Sequence, residues 1–188
     1  MGLPPLLLPA FLSVDTCARF REAINVGEFS AAAVAVDGFH VDEAVRRTFE
    51  VDVDASAFAR ADETIAAAVP IIAEHFATRL ARHEGTGFLR YSTGGFYRVH
   101  ADVTPEWPSD FPRTISVIVF LTTAGEREGS DCAGGTLRLY PDRHDEPGAL
   151  VFDVEPVAGT LVAFPATTPH EVLPVTRGIR DVIVDWLY

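Results

Sequence analysis

His100 and Asp102 stand two residues apart, His170 follows far downstream, and Arg180 comes ten residues after that. Two histidines and one carboxylate are the ligand set that holds Fe(II) on one face and leaves other coordination positions open. In a strand, residues i and i+2 point to the same side, so His100 and Asp102 can reach one ion from one element. His170 must then arrive on a second strand packed beside the first. An H-x-D triplet also arises by accident in a chain with 6 histidines and 27 acidic residues. Taken singly, His100 reads as a surface or satisfied core histidine. Its neighbours argue otherwise: Tyr91, Gly94, Gly95 and Tyr97 precede the triplet, Gly134-Gly135 precede a strand, and His170 opens a segment that ends in Gly178 and Arg180.

The last strand gives Arg180 a direction. Arg180, Val182, Val184 and Trp186 share one face; Asp181, Ile183, Asp185 and Leu187 share the other. Arg180 is therefore on the more apolar, inward face. A buried guanidinium needs an anion, because an unpaired charge there is very costly. That anion is either an internal Asp or Glu, or a ligand carboxylate gripped by the planar fork of arginine.

The elements that must position these residues change character at Gly85. Beyond it the chain reads as short strands separated by Gly and Pro: Gly87–Ser92, Phe96–Asp102, Thr114–Leu121, Gly135–Tyr140, Ala149–Val154, Thr160–Phe164, His170–Val175 and Ile179–Tyr188. About eight strands at this spacing predict a jelly-roll or related double-sheet barrel. Thr114–Leu121 is almost wholly apolar, as a strand covered on both faces is. Residues 103–113, with three prolines, and the polar stretch 122–134 read as loops at the barrel mouth. The first half is Ala-rich. Asp15 is placed to cap a helix running to about Asn25. Ile65, Ala68, Val69, Ile72, Phe76 and Leu80 recur at helical spacing within residues 55–83, with Pro70 predicting either two helices or one kinked helix. The expectation is one domain over residues 1–188: a helical support region, 1–84, buttressing a mainly β catalytic core, 85–188.

Size and composition agree with a globular chain. Its 188 residues are enough to bury a core without disulfides, and 48% of them are hydrophobic. A net charge of −12 argues against a nucleic-acid partner. Cys17 and Cys132 are too few and too far apart for a disulfide framework or zinc site, and read as reduced thiols. Residues 2–12 are Leu-rich but carry Pro4, Pro5 and Pro9 and no basic residue, unlike a secretory signal. No apolar run approaches a membrane span. These features predict a cytoplasmic protein with no membrane partner.

At this point a resemblance becomes specific. The stretch Tyr91–Tyr188 resembles the catalytic domain of Fe(II)- and 2-oxoglutarate-dependent dioxygenases of the prolyl 4-hydroxylase type. It is also similar to the hypoxia-sensing prolyl hydroxylases in Gly134-Gly135-Thr136-Leu137-Arg138-Leu139-Tyr140-Pro141 and in Pro169-His170-Glu171-Val172-Leu173-Pro174. The resemblance implies a double-stranded β-helix core, with Fe(II) held by His100, Asp102 and His170, and 2-oxoglutarate and O2 as co-substrates. It implies that Arg180 anchors the distal carboxylate of 2-oxoglutarate, that Tyr91 lines the same pocket, and that Trp186 lies beside the iron.

Arg113 falls where related enzymes contact substrate, against the plainer reading of a rim salt bridge. Tyr97 and Trp107 are the other candidate substrate residues, Trp107 competing with an ordinary hydrophobic anchor. His40, His75, His83 and His144 read as surface or helix histidines, and Arg138 as a solvated face. The implied reaction hydroxylates a substrate C–H bond as 2-oxoglutarate becomes succinate and CO2. A prolyl residue of a peptide or protein is the expected substrate; a free amino acid or small metabolite is the alternative, and a cupin-like metal-binding scaffold the alternative of another class. One position departs from the family. Related prolyl hydroxylases have a tyrosine near position 120 whose hydroxyl helps hold the distal carboxylate, and this chain has Phe120; either another hydroxyl, such as Thr114 or Ser116, substitutes, or co-substrate binding is weaker. Asp102 separates the site from halogenases, which have a small residue there.

Overall fold

The structure, a computed structural model, describes residues 3–35, 39–81, 83–103, 113–127, 129–141 and 150–188. Trp107 and His144 lie outside the described residues. Strand β1 (Leu6–Leu8) leads into helix α1 (Val14–Val26). Strands β2 (Glu28–Ala31), β3 (Val34–Ala35), β4 (Phe39–His40), β5 (Arg46–Arg47) and β6 (Phe49–Asp52) precede helix α2 (Ala55–His75). Then come β7 (Gly87–Ser92), β8 (Phe96–His100), β9 (Ile115–Phe120), β10 (Cys132–Gly134) and β11 (Leu137–Leu139). The chain closes with β12 (Phe152–Val154), β13 (Leu161–Pro165), β14 (His170–Val172) and β15 (Val175–Leu187).

Two antiparallel sheets make the barrel. The major sheet runs β1-β13-β9-β15-β7-β6-β2, with β10 added along β15; the minor sheet runs β12-β11-β14-β8-β5. Each inward strand serves two cores because side chains alternate across a pleated strand. On β9 and β15, Ile118, Phe120, Val182 and Val184 point between the sheets, where they meet Leu137, Leu139 and Val172 of the minor sheet. From the same two strands, Val117, Val119, Ile183 and Leu187 point outward and are covered by Phe20 and Ile24 of α1 and Ile65 and Ile72 of α2. All six residues of β9 are buried, as its continuous apolar run predicts. This is a double-stranded β-helix backed by two helices.

Several boundaries differ from the sequence expectation. Ser13, not Asp15, caps α1: its hydroxyl accepts from the Thr16 amide at 3.1 Å, while Asp15 sits in the first turn, where a negative charge suits the helix dipole. Asp54 caps α2, and Pro70 lies inside that single helix. The helix stops at His75, short of residue 83, and Ala77 at φ +48° turns the chain away. The first 84 residues are also more than helical support. They give β1, β2 and β6 to the major sheet and β5 to the minor one. Among the described residues, no helix is long and apolar enough to cross a membrane.

Candidate active site

β8 and β14 are neighbours in the minor sheet, and their register sets His100 opposite His170. The two rings lie 4.2 Å apart. Each imidazole is oriented the same way: Nδ1 of His100 meets the Arg98 carbonyl at 2.8 Å, and Nδ1 of His170 meets the Thr168 carbonyl at 2.9 Å. A proton on Nδ1 leaves the Nε2 lone pair free, the arrangement that orients a metal-binding histidine. Both Nε2 atoms face Asp102, each 3.7 Å from one of its carboxylate oxygens. One ligand atom from each of the three residues lies within 4.8 Å of the others, so the trio can hold one metal ion.

Asp102 is not on the strand. β8 ends at His100, and the next residues turn so that the Asp102 amide donates to the Ala166 carbonyl at 3.0 Å. Ser116 of β9 then donates its hydroxyl to an Asp102 oxygen at 2.5 Å, and the Trp186 side chain adds a further hydrogen bond. Burial works to raise the pKa of Asp102, but the two imidazoles and these donors outweigh it and hold the carboxyl below its ordinary value. Burial and the adjacent His170 lower His100 to about 3, against the pull of Asp102. His100 is thus held as a neutral imidazole and Asp102 as a carboxylate, the forms in which these side chains bind a metal. Tyr97 stacks on His100 at 3.5 Å and 18°, and Phe164 packs on His170 edge-on at 4.8 Å.

Behind the trio, β15 sets Arg180 opposite Tyr91 of β7. Arg180 is 1% exposed, and its Nε and Nη2 have no hydrogen-bond partner among the described residues. Its guanidinium carbon lies 4.9 Å from the Tyr91 ring centre and 5.2 Å from that of Phe120. Among the described residues no acid pairs with it: Asp181 faces the other side and accepts from Nε and Nη2 of Arg90, each at 2.7 Å. Burial pulls the pKa of Arg180 down, yet an arginine stays charged. Such a cation fits the distal carboxylate of a 2-oxo diacid. Phe120 supplies a ring, not a hydroxyl. Ser116 is committed to Asp102, and Thr114 is exposed at the opposite end of β9 from Phe120.

A cavity of about 560 Å³ opens over the trio and is lined by His100, Asp102, His170, Tyr91, Tyr97 and Trp186. Arg113 also lines it, but Glu84 takes its fork at 2.7 and 2.5 Å. The guanidinium lies 3.7 Å above the Trp186 ring, so the rim salt bridge props that indole beside Asp102. Arg46 lines the same cavity from β5, and no sequence signal marked it. Ser116 was marked in the sequence as a substitute hydroxyl for co-substrate, not as a partner of Asp102. The remaining described histidines stand elsewhere: His40 is exposed on β4, His75 meets the Pro4 carbonyl, and His83 meets Asp185 on the helix side of the major sheet. Asp62 near His83 is occupied by the amide and hydroxyl of Thr86. Arg138 pairs with Asp153 on a solvent-facing surface.

These features define an iron-binding oxygenase barrel, and the comparison with known proteins agrees. Residues 86–188 match the sequence model of the 2OG-Fe(II) oxygenase superfamily, and the chain belongs to that superfamily. It is 29% identical over 184 residues to the PKHD-type hydroxylase YbiX of Shigella boydii, covering 96% of this chain and 76% of that protein. A prolyl-4-hydroxylase of Pseudomonas putida superposes with TM-score 0.70 at 27% identity, over 97% of this chain and 91% of its own. A prolyl hydroxylase of Trichoplax adhaerens, solved with a peptide fragment of a hypoxia-inducible factor, shares the fold with TM-score 0.77 at 19% identity, over 99% and 84%. The protein is a 2-oxoglutarate-dependent dioxygenase of the prolyl 4-hydroxylase type, a hydroxylase that uses Fe(II), 2-oxoglutarate and O2.

Proposed function

We propose that this enzyme hydroxylates a C–H bond of a prolyl residue in a peptide or protein, releasing succinate and CO2. In this reading His100, Asp102 and His170 hold Fe(II), and Arg180 binds the distal carboxylate of 2-oxoglutarate with Tyr91 beside it. The observation that carries the reading is Arg180: a buried guanidinium whose Nε and Nη2 have no hydrogen-bond partner among the described residues, on the same barrel wall as the strand that supports Asp102. Iron, when bound, supplies the oxygen-activating chemistry. The protein's own part is orientation. The two histidine carbonyl contacts and Ser116 fix the ligand atoms, the stacked Tyr97 holds the His100 plane, and the apolar walls of the barrel keep water from the co-substrate. The peptide-bound relative supports a peptide or protein as substrate. Buried free Cys17 and Cys132 suit a reducing compartment, and we assign the protein to the cytoplasm.

The test is an anaerobic optical titration of metal-free protein with Fe(II) and then 2-oxoglutarate, followed by assay of prolyl peptides for hydroxyproline. A visible charge-transfer band that needs both additions and is lost in Asp102→Ala is the expected result. Bound metal without such a band, in folded protein, would refute the assignment.

A further inference from the structure

Among the hydrogen-bonding groups of a residue within a peptide, proline is unusual: it has a carbonyl acceptor and no N–H donor. A site that orients a prolyl residue by polar contact must therefore offer a donor. Among the described residues, two arginines line the cavity over the His-Asp-His trio, Arg46 and Arg113. Glu84 occupies the fork of Arg113.

Arg46 is differently placed. It comes from β5 at the edge of the minor sheet, in register with Tyr97 of β8. Its guanidinium carbon lies 4.8 Å from the Tyr97 ring centre, and Tyr97 in turn stacks on His100. Only 12% of its side chain is exposed. Nη1 donates to the Ala33 carbonyl at 2.8 Å, which fixes the plane of the group. Nε has no hydrogen-bond partner among the described residues. The nearby acid, Glu50, is 3.8 Å from Nη1 and has 55% of its side chain in solvent, so that pairing is weak and readily displaced.

We propose that Arg46 is the substrate-orienting residue, gripping the carbonyl-type oxygen of the proline whose ring is presented to the metal trio. The proposal rests on the prolyl reading above. That oxygen comes from either of two sources, the backbone carbonyl of a prolyl peptide or the carboxylate of free proline. The guanidinium accepts both, and Tyr97 sets its distance from the reacting carbon.

Arg46→Gln and Arg46→Lys are compared with the wild type using a capped prolyl tripeptide and free L-proline, in the presence of Fe(II), 2-oxoglutarate and O2. Hydroxyproline formation gives KM and kcat for each. Loss of a charged hydrogen bond predicts a substrate KM raised about ten- to hundredfold in Arg46→Gln, partial recovery in Arg46→Lys, and an unchanged KM for 2-oxoglutarate. The anaerobic charge-transfer band stays as in the wild type, which separates substrate grip from a general distortion. The probe that the wild type accepts identifies the source of the oxygen. A substrate KM within about twofold of the wild type, or an equal rise in the KM for 2-oxoglutarate, overturns the role of Arg46 and leaves the prolyl reading intact. A wild type that forms the band but hydroxylates neither probe overturns both.

Discussion

Ser116 donates to the same Asp102 oxygen that faces His170, so one hydroxyl sets the rotation of the carboxylate between the two imidazoles. An aspartate at a strand's frayed end has more freedom than one inside a ladder, and here the neighbouring strand supplies the constraint. The prediction concerns geometry, not charge. Ser116→Ala removes a hydroxyl from a well-packed wall and leaves His100, Asp102 and His170 in place. Partners of metal ligands typically change affinity by about 10–100-fold when lost. Fe(II) affinity in Ser116→Ala, read by competition with a chelating dye, is expected to fall about tenfold while the melting transition stays cooperative. Wild-type affinity would mean that Trp186 and the Ala166 contact orient Asp102 without it.

At the scale of elements, the bend between β10 and β11 makes room for Arg180. Gly135 has φ +74°, and a Cβ there would stand 2.7 Å from Cδ of Arg180. Gly134, at φ +70°, would set a Cβ against the Pro174 carbonyl. Gly135→Ala therefore both strains the backbone and pushes the guanidinium from its place; the expected stability loss is about 1–3 kcal/mol. The KM for 2-oxoglutarate is expected to rise with it, whereas a purely backbone effect would lower the melting temperature and leave that KM alone. The Gly-Gly pair was visible in the sequence, but its contact with Arg180 joins residues about forty-five positions apart and needs the fold. The same divide runs through the strands. β7 was legible end to end and β9 nearly so, because six-residue runs carry a clear period or a continuous apolar signature. β5 has two residues and β2 has four, all exposed, and so short an edge strand has no period to read. Arg46 was missed for that reason. The inward setting of Arg180 was legible because the strand continues far enough past it to set Val182, Val184 and Trp186 on its face and Asp181 and Asp185 on the other.

For the molecule as a whole, the match to the oxygenase superfamily begins at residue 86, after both helices have ended. The barrel does not stand apart from what precedes it. Leu12, Phe20, Ile24, Val51, Ile65 and Ile72 all come from the first half and are buried against the outer face of the major sheet. At roughly 1.5–3 kcal/mol for each such side chain, their contribution is as large as the typical net stability of a domain, about 5–15 kcal/mol. Two buried carboxylates depend on this side as well. Asp181 faces Arg21 of α1 at 3.7 Å, and Asp185 meets His83 at 2.9 Å. Without residues 3–84, Val117, Val119, Ile183 and Leu187 would face water, and both carboxylates would lose partners. We therefore propose that residues 1–188 fold as one unit and that residues 85–188 alone do not. The fragment is expected to show no cooperative thermal transition and to bind a hydrophobic dye, whereas the full chain melts in one step. A sharp transition with a preserved charge-transfer band in the fragment would instead make the N-terminal half an accessory, and the strands β2 and β6 extensions of the cavity wall with no part in holding the barrel together.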